Sequence, residues 1–140
     1  DHWHYQRQTK LVGVSPPEGR KYLQFENDEP GRLAQVLQGM AIDGRKVRRL
    51  DITMKLKYDS IRNYGRHQQA ALMVHFYDSI RKPIGDHVLG PWTQSQNDWE
   101  TVATRIRVPA DAREMIVRIG LNGATGTLCV DDVNLSTGNR

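Results

Sequence analysis

The last third of the sequence alternates apolar and polar residues in three short segments, at residues 101–108, 114–121 and 127–135. A Pro-Ala-Asp sequence separates the first two segments, and Asn122-Gly123 begins the turn that separates the last two. Alternation with a period of two places successive side chains on opposite faces of a β-strand. An Asn-Gly pair between two such segments is typical of a β-hairpin. The last third of the chain therefore predicts antiparallel strands.

The alternation continues upstream, most clearly at residues 49–58, where five apolar residues alternate with five polar ones. Residues 33–42 combine helical spacing of apolar side chains with strand-like neighbours, and we predict a strand at 34–41. Residues 59–68 are polar and residues 81–98 are rich in glycine and proline, so both predict loops. Further strands are predicted at residues 2–5, 22–26 and 69–78. About eight strands without a helix indicate an all-β fold, an antiparallel β-sandwich of the jelly-roll type.

The length of 140 residues fits one domain, and we expect residues 1–140 to form a single module whose core needs no disulfide. The single cysteine, Cys129, has apolar neighbours and predicts a buried thiol. The sequence begins at Asp1 rather than Met, which suggests a module excised from a larger multidomain protein. No apolar segment is long enough to cross a membrane. The net charge of +4 is spread along the chain, which argues against nucleic-acid binding and mildly favours anionic partners.

Particular residues within these strands match the pattern of a known group of folds. Upstream, Gly19 is followed at the spacing Gly-x-x-Tyr-Leu by Tyr22 and Leu23. The closing third contains Trp99, Val108-Pro109-Ala110-Asp111-Ala112, Arg118-Ile119-Gly120-Leu121, Gly126-Thr127 and Val130-Asp131-Asp132-Val133-Asn134-Leu135. Together these stretches resemble galactose-binding-like jelly rolls, above all carbohydrate-binding modules of families four, nine, sixteen and twenty-two. Such modules commonly begin with an Asn-x-Gly-Phe-Glu-like strand, whereas only two residues precede Trp3 here.

The resemblance also implies a structural calcium ion. Related modules hold this ion with an aspartate of the closing strand, main-chain carbonyls near the second strand and an acidic residue of the first strand. By that resemblance Asp131 is the first candidate ligand, and Lys21 contributes its carbonyl oxygen. Asp131 and Asp132 point to opposite faces of a regular strand, and a calcium ion compensates a buried carboxylate. The alternative is that Asp131 hydrogen-bonds backbone amides or pairs with a basic residue.

Sugar binding, which the resemblance implies, needs flat aromatic rings and polar side chains that reach hydroxyl groups. Trp92 lies in a Gly-Pro loop and Tyr64 in a polar loop, so both are candidates, although each ring fits a loop anchor equally well. Tyr77 and His75 share a strand face and form a candidate polar and aromatic groove, with simple packing as the favoured alternative for Tyr77. Core positions are predicted for Phe25, Phe76 and Trp99, and a core position or packing at a sheet edge is predicted for Trp3.

Arg118 alternates with Val117 and Ile119 in a predicted strand, and its planar guanidinium suits a hydroxyl pair, a uronate or a sulfate. The alternative for Arg118, and for the similar Arg48 and Arg105, is an exposed position on a sheet face. The sequence contains no Gly-x-Ser-x-Gly, no His-Glu-x-x-His, no Gly-rich phosphate loop and no paired-cysteine metal motif. The chain therefore favours a non-catalytic module.

We expect a carbohydrate-binding module, in a secreted or periplasmic protein, that targets an attached enzyme or surface protein to a polysaccharide. An anionic polymer is among the candidate ligands. Its partners would be a polysaccharide or oligosaccharide and covalently linked neighbouring domains, with no nucleic acid and no membrane. The alternative is a structural or protein-interaction jelly roll that binds no sugar. Exposed rings favour sugar binding and buried rings favour the structural role. The expected ligand-binding residues are Trp92, Tyr64, Tyr77, His75 and Arg118.

Overall fold

The chain folds as a β-sandwich in the computed structural model, which describes residues 4–7, 9–12, 22–65 and 67–138. These residues contain ten strands and no helix, so none of them forms a helix that could cross a membrane. The predicted all-β class is therefore confirmed. In chain order the strands are β1 (His4–Arg7), β2 (Thr9–Val12), β3 (Tyr22–Asn27), β4 (Gln35–Ala41), β5 (Arg49–Arg62), β6 (Ala71–Tyr77), β7 (Pro83–Leu89), β8 (Gln94–Arg107), β9 (Glu114–Gly120) and β10 (Thr125–Gly138).

Two antiparallel sheets form the sandwich, as the sequence predicts. The first sheet has the strand order β1-β4-β9-β6-β7, and the second has the order β2-β3-β10-β5-β8. Many neighbouring strands are far apart in the chain, so the register between them is set by tertiary pairing rather than by short turns. The ambiguous segment at residues 34–41 is a strand, β4, because it pairs with β9 residue by residue from Gln35 to Ala41.

The core lies between the two sheets and follows from the period of two. The inward residues of β5 are buried while their neighbours face outward, and the buried set is Leu50, Ile52, Met54 and Leu56. Phe25 and Phe76 are buried in the same core, as predicted. Full burial of each large apolar side chain contributes about 1.5–3 kcal/mol. A slip of one residue would expose the whole inward set, so the core also fixes which residues face outward.

Residues 81–98, which the sequence predicts to be a loop, contain β7 and the start of β8. That prediction is wrong. β7 lies at the edge of the first sheet and pairs with β6 alone among the described strands. An edge strand tolerates a proline at its first position and a glycine inside, here Pro83 and Gly85. These two residues obscure the alternation that would otherwise indicate a strand.

β5 continues to Arg62, although its polar end predicts a loop from residue 59. The pairing of β5 with β8 is irregular on both sides of Tyr58, and Ser60 has a φ of 55°. Such bulges add residues to one strand and interrupt the alternation of faces. The loop prediction fails here because the strand continues through an irregular stretch.

Gly120, at the end of β9, allows an unusually close approach of the chain before β4. A Cβ atom at this position would lie 2.3 Å from the carbonyl oxygen of Ala34, and the φ of Gly120 is +149°. Gly120 pairs with Gln35 on one side and with Ala71 on the other. Only glycine tolerates both the positive φ and the close contact with the Ala34 carbonyl. Gly120 therefore fixes the spacing of β4, β9 and β6 at this end of the first sheet.

Candidate functional site

The outer face of the first sheet, which we call the first-sheet face, carries a mixture of polar and apolar side chains in cross-strand rows. In one row Arg118 lies between Leu37 and Met73, and in the next Ile116 lies opposite His75. The register places the following residues on this face: Gln35, Leu37, Met73, His75, Tyr77, Asp86, Val88, Glu114, Ile116 and Arg118. The side chains described on this face therefore come from β4, β9, β6 and β7, and β1 lies beside β4 at the edge of the sheet.

Three of the five residues that the sequence proposes for ligand binding meet on this face. His75 and Tyr77 project from β6, and Arg118 projects from the neighbouring β9. Arg118 pairs with Met73, two residues before His75, so Arg118 and His75 are diagonal neighbours. Diagonal neighbours in an antiparallel pair lie roughly 7–8 Å apart, within reach of one another's long side chains. Tyr77 is half-buried and lies opposite Glu114.

His75 is held by a carboxylate that the sequence does not reveal. Its Nδ1 atom lies 2.7 Å from Oδ1 of Asp86, the residue opposite it on β7. The His75 side chain is 20% exposed and that of Asp86 is 68% exposed. Asp86 falls in the segment that the sequence predicts to be a loop, so nothing in the sequence pattern indicates that the two residues pair.

Several buried polar atoms on the first-sheet face have no hydrogen-bond partner among the residues that the structure describes. They are Oε1 of Gln35, Nε2 of His75 and Nε of Arg118. A buried donor or acceptor without a partner costs about 1–3 kcal/mol, and such atoms are rare in native proteins. Three of them on one face mark a place where water or a ligand would supply hydrogen bonds. Gln35, only 6% exposed, is a candidate that the sequence analysis did not name.

Apolar side chains complete the first-sheet face between its polar groups. Met73 is 7% exposed and lies directly opposite Arg118, while Val88, opposite Met73, is 43% exposed. Leu37 and Ile116 are half-buried. A surface with apolar patches between donors and acceptors suits a ligand that has both C–H and hydroxyl groups.

Trp92 does not lie on this face. Its ring is only 8% exposed and belongs to the hydrophobic core. The Trp92 N–H donates to the carbonyl of Ala70 at 2.9 Å, and the Trp92 carbonyl accepts from Nδ2 of Asn63 at 3.0 Å. The structure therefore corrects the ligand-binding assignment of Trp92, because its ring anchors the loop to the core.

Tyr64 lies in the loop after β5 and is 39% exposed. Its hydroxyl is 3.2 Å from Oγ1 of Thr125, at the start of β10 in the second sheet. No described contact connects Tyr64 with His75, Tyr77 or Arg118. Its exposed ring is compatible with ligand binding, but at a place separate from the first-sheet face.

The outer face of the second sheet, which we call the second-sheet face, contains Trp99. The predicted core position of Trp99 is wrong, because its half-buried ring meets Tyr22 edge-on at a centroid distance of 5.2 Å. The Lys57 ammonium lies 5.1 Å from the centroid of Trp99 and 5.7 Å from that of Tyr22. Cys129 lies opposite Lys57, and burial raises the pKa of its thiol, in line with the predicted buried cysteine.

Arg105 also lies on the second-sheet face rather than beside Arg118. Its Nε donates to Oδ1 of Asp51 at 2.9 Å, and Nε of Arg49 donates to Oδ2 of the same carboxylate at 2.9 Å. The hydrogen bond from Arg105, followed by the positive charge of both arginines, holds the pKa of Asp51 below its usual value. Arg105 is therefore a paired surface residue, which is the alternative that the sequence analysis gave for it.

The region around Asp131 departs from regular alternation. Pairing with β5 shifts between Asp131 and Asn134, and Asp132 has a φ of 54°, so β10 contains a bulge. Val130 lies in the core and Val133, three residues later, also packs against it, which a regular strand with a period of two does not allow. The bulge inserts one residue and changes which side chains share a face.

Asp131 meets one requirement of a calcium ligand. Its Oδ1 accepts from the N–H of Asp132 at 2.8 Å, whereas its Oδ2 is buried without a hydrogen-bond partner in the described part of the chain. Those residues contain no group of three or more His, Cys, Asp or Glu side chains that could hold a metal ion. Lys21, the other proposed ligand, lies outside the described residues. Asp131 Oδ2 is therefore an available ligand for a cation, and the remaining ligand oxygens would have to come from groups other than the described His, Cys, Asp and Glu side chains.

No protein-family model and no curated protein matches the sequence, but solved structures match the fold. A family 16 carbohydrate-binding module aligns with a TM-score of 0.60 and 15% identity over 96% of this chain and 89% of that one. The CBM22-1 xylan-binding domain from Paenibacillus barcinonensis aligns at 0.61 and 8% identity over 99% and 87%. The chain therefore has the β-sandwich fold that these modules share. The resemblance to families four, sixteen and twenty-two is thereby confirmed for the fold.

The same fold also occurs inside a larger protein. The enzymatically active domain of tailspike protein 4 from bacteriophage CBA120 aligns with a TM-score of 0.64 and 12% identity over 99% of this chain. This chain spans 18% of that tailspike chain. The fold therefore occurs as part of a long chain as well as in modules of about this size.

Proposed function

We propose that the chain is a non-catalytic carbohydrate-binding module and that the first-sheet face binds the sugar. The observation that carries this proposal is the set of buried polar atoms on Gln35, His75 and Arg118 that have no hydrogen-bond partner among the described residues. Sugar hydroxyls both donate and accept hydrogen bonds, and the apolar residues between these groups can pack against sugar C–H groups. The fold supports the proposal, because one of the similar structures is described as xylan-binding.

The wider role follows from this binding. A module that holds a polymer raises the effective concentration of any domain linked to it at the polymer surface. We infer that the chain targets an attached enzyme or surface protein to a polysaccharide, in a secreted or periplasmic protein. Tyr77 is included in the binding face because it projects from the same strand as His75.

Affinity electrophoresis against a panel of polysaccharides tests the proposal. The panel contains neutral xylan, β-glucan and galactan together with acidic polygalacturonan and a sulfated galactan, because the sequence analysis leaves an anionic polymer open. We expect at least one polymer to retard the chain. Retardation by none of them would contradict carbohydrate binding.

The burial of Trp92 favours a second candidate, a structural or protein-interaction jelly roll. In that case Gln35, His75 and Arg118 would be satisfied by a neighbouring domain or protein rather than by a sugar. The panel separates the two candidates, because the structural role predicts no retardation by any glycan.

We also propose that Asp131 binds a structural calcium ion through Oδ2, with Lys21 contributing its carbonyl oxygen. Asp131 Oδ2, which has no hydrogen-bond partner in the described ranges, supports this proposal, since calcium prefers six to eight oxygen ligands and compensates buried carboxylate charge. Calcium at 100 times its dissociation constant should stabilise the fold by about 2.7 kcal/mol. Thermal unfolding in excess calcium and in excess chelator measures this difference.

A matched pair of variants assigns the calcium effect to one residue. Asp131→Asn should remove the calcium dependence of unfolding, whereas Asp132→Asn, with a carboxylate 4.0 Å from the Lys55 ammonium, should keep it. Identical unfolding of the wild-type chain in calcium and in chelator would rule out the ion.

A further inference from the structure

The contact between His75 and Asp86 determines which ring nitrogen of His75 can accept a hydrogen bond on the first-sheet face. We propose that Asp86 is a positioning residue that keeps the hydrogen of neutral His75 on Nδ1, so that Nε2 remains an acceptor. His75 Nε2 and the Nε–H of Arg118 then bind one ligand hydroxyl together. The hydroxyl-binding step rests on the proposed function, whereas the role of Asp86 can be measured without any ligand.

The contact between the two side chains defines the tautomer. An ionised carboxylate can only accept hydrogen bonds, so the His75 nitrogen that lies 2.7 Å from Asp86 Oδ1 must carry a hydrogen. In a neutral imidazole the other nitrogen then has a free lone pair. That other nitrogen is Nε2, which is buried and has no partner among the described residues. Asp86 thus leaves an unsatisfied acceptor on the first-sheet face.

Arg118 supplies the complementary group. Its Nε always carries a hydrogen and is likewise buried without an acceptor in the described ranges. The two residues are diagonal neighbours on β6 and β9, at roughly 7–8 Å between their backbones. A hydroxyl group donates one hydrogen bond and accepts others, so a single hydroxyl satisfies both nitrogens. A carboxylate cannot, because it has no hydrogen to donate to Nε2.

Both nitrogens are buried in the free chain, but their side chains keep part of their surface exposed. Side-chain rotations on the picosecond to nanosecond timescale can therefore turn these atoms toward a ligand. For His75 such a motion can be a tilt of the ring about its hydrogen bond to Asp86, which keeps the tautomer unchanged.

Several charged or titratable groups surround His75. Among the residues whose side chains the structure describes, those that share the face with His75 are Tyr77 on β6, Asp86 on β7, and Glu114 and Arg118 on β9. Arg81 lies 3.8 Å from Glu114 and partly neutralises it. Protonation of His75 would convert Nε2 into a donor and place a second positive charge near Arg118. Nε2 therefore accepts a hydrogen bond from a hydroxyl only while the His75 ring is neutral.

NMR of the ¹⁵N-labelled chain tests the positioning role directly. Long-range ¹H–¹⁵N spectra at neutral pH report which ring nitrogen carries the hydrogen, and the His75→Gln spectrum assigns the His75 signals. We expect Nδ1 to be protonated and Nε2 bare in the wild-type chain. Asp86→Ala should shift His75 toward the other tautomer, whereas Asp111→Ala, at an exposed turn, should leave it unchanged. A wild-type ring with its hydrogen on Nε2 overturns the proposal and leaves sugar binding standing.

Binding to a polysaccharide that retards the chain tests the hydroxyl. His75→Ala and Arg118→Ala should each weaken binding by about tenfold or more, and the double variant should lose less than the product of the two effects. Asp86→Ala should weaken binding several-fold, because part of the His75 rings would then carry the hydrogen on Nε2 and could not accept from the hydroxyl. An unchanged affinity in Asp86→Ala overturns the positioning role. A wild-type chain that binds no glycan overturns the proposed function and the hydroxyl-binding step, whereas the tautomer is decided by NMR alone.

Discussion

The two outer faces of the sandwich differ in how their polar side chains are satisfied. On the second-sheet face Asp51 accepts hydrogen bonds from two arginines, and Lys57 lies over the rings of Tyr22 and Trp99. On the first-sheet face His75 and Arg118 each have a buried nitrogen without a partner among the described residues. Polar groups that pair with one another need nothing from outside the protein. Unpaired buried groups gain free energy from a ligand, so the first-sheet face is the stronger candidate for binding.

The comparison of the two faces shows that the residue opposite an arginine determines whether that arginine is available to a ligand. Arg105 and Arg118 both alternate with apolar residues in strands, and the sequence gives no means of separating them. In the fold Arg105 lies opposite Asp51, whereas Arg118 lies opposite Met73. The cross-strand register therefore decides which arginine forms an ion pair and which remains available to a ligand.

The largest expected effect comes from disturbing the backbone that supports the first-sheet face. Gly120→Ala would place a Cβ atom 2.3 Å from the Ala34 carbonyl oxygen, at a φ of +149° that disfavours side chains. We expect a loss of about 3 kcal/mol in the free energy of unfolding, because the backbone must shift to relieve the clash. Urea unfolding measures the loss.

Gly39→Ala is the matched control for that substitution. Gly39 lies on the neighbouring β4, and a Cβ atom there would meet nothing within 4 Å. Its effect should stay within about 0.5 kcal/mol, as for other surface substitutions. Equal destabilisation by the two variants would show that the close approach at Gly120 does not matter to the first sheet.

The next largest effect is the difference in polysaccharide binding between a variant of Arg118, on the first-sheet face, and a variant of Arg105, on the second-sheet face. Arg118→Ala should weaken binding to a retarding polysaccharide by about 1.5–3 kcal/mol, the usual contribution of a hydrogen bond from a charged group. Arg105→Ala removes an arginine that is 70% exposed and paired with Asp51, so glycan binding should be unchanged. Affinity electrophoresis of both variants on the same gel gives the comparison. A greater loss in Arg105→Ala would place the binding surface on the second sheet.

Much of the fold could be predicted because the inward face of each long strand is strongly apolar. The alternation in β5 indicates a strand without any knowledge of its neighbours, and so do the closing segments that contain β9 and most of β10. β7 was missed because Pro83 and Gly85 interrupt a short edge strand, where the requirement for apolar residues is weakest. The bulge at Asp132 was missed because aspartate tolerates a positive φ but does not require one, so the residue type alone does not establish the bulge.

The candidate site could be predicted only in part, for a related reason. Alternation along β6 and β9 identifies His75, Tyr77 and Arg118 as outward residues, but it does not show that β6 and β9 are neighbours. Gln35 joins the site through the pairing of β4 with β9, which are distant in sequence. Asp86 joins it through β7, which the sequence predicts to be a loop. Trp92 was misassigned because a large ring in a glycine- and proline-rich loop has the same sequence pattern whether it faces solvent or anchors the loop in the core.

The smallest expected effect concerns the paired charges of the second-sheet face. The hydrogen bond from Arg105 and the charge of both arginines hold the pKa of Asp51 below its usual value in the folded chain. The folded state therefore binds a proton at Asp51 less readily than the unfolded state does. The pairing stabilises the fold above about pH 4, where a free carboxyl group is ionised, and this stabilisation is lost as the pH falls through the lowered pKa.

Thermal unfolding of the wild-type chain and Asp51→Asn should show this pH dependence. We expect the wild-type chain to unfold at a higher temperature than Asp51→Asn at neutral pH. The difference between the two unfolding temperatures should become smaller below about pH 4 and in high salt. Thr53→Ala, on the same face and without a titrating group, should show a gap that does not change with pH. Because Asp51 already accepts hydrogen bonds from two arginines, neither substitution should alter glycan binding. If the difference in unfolding temperature between the wild-type chain and Asp51→Asn grew on acidification, the arginines would not stabilise the ionised Asp51. The paired charges around Asp51 could then no longer be contrasted with the unpaired groups of the first-sheet face.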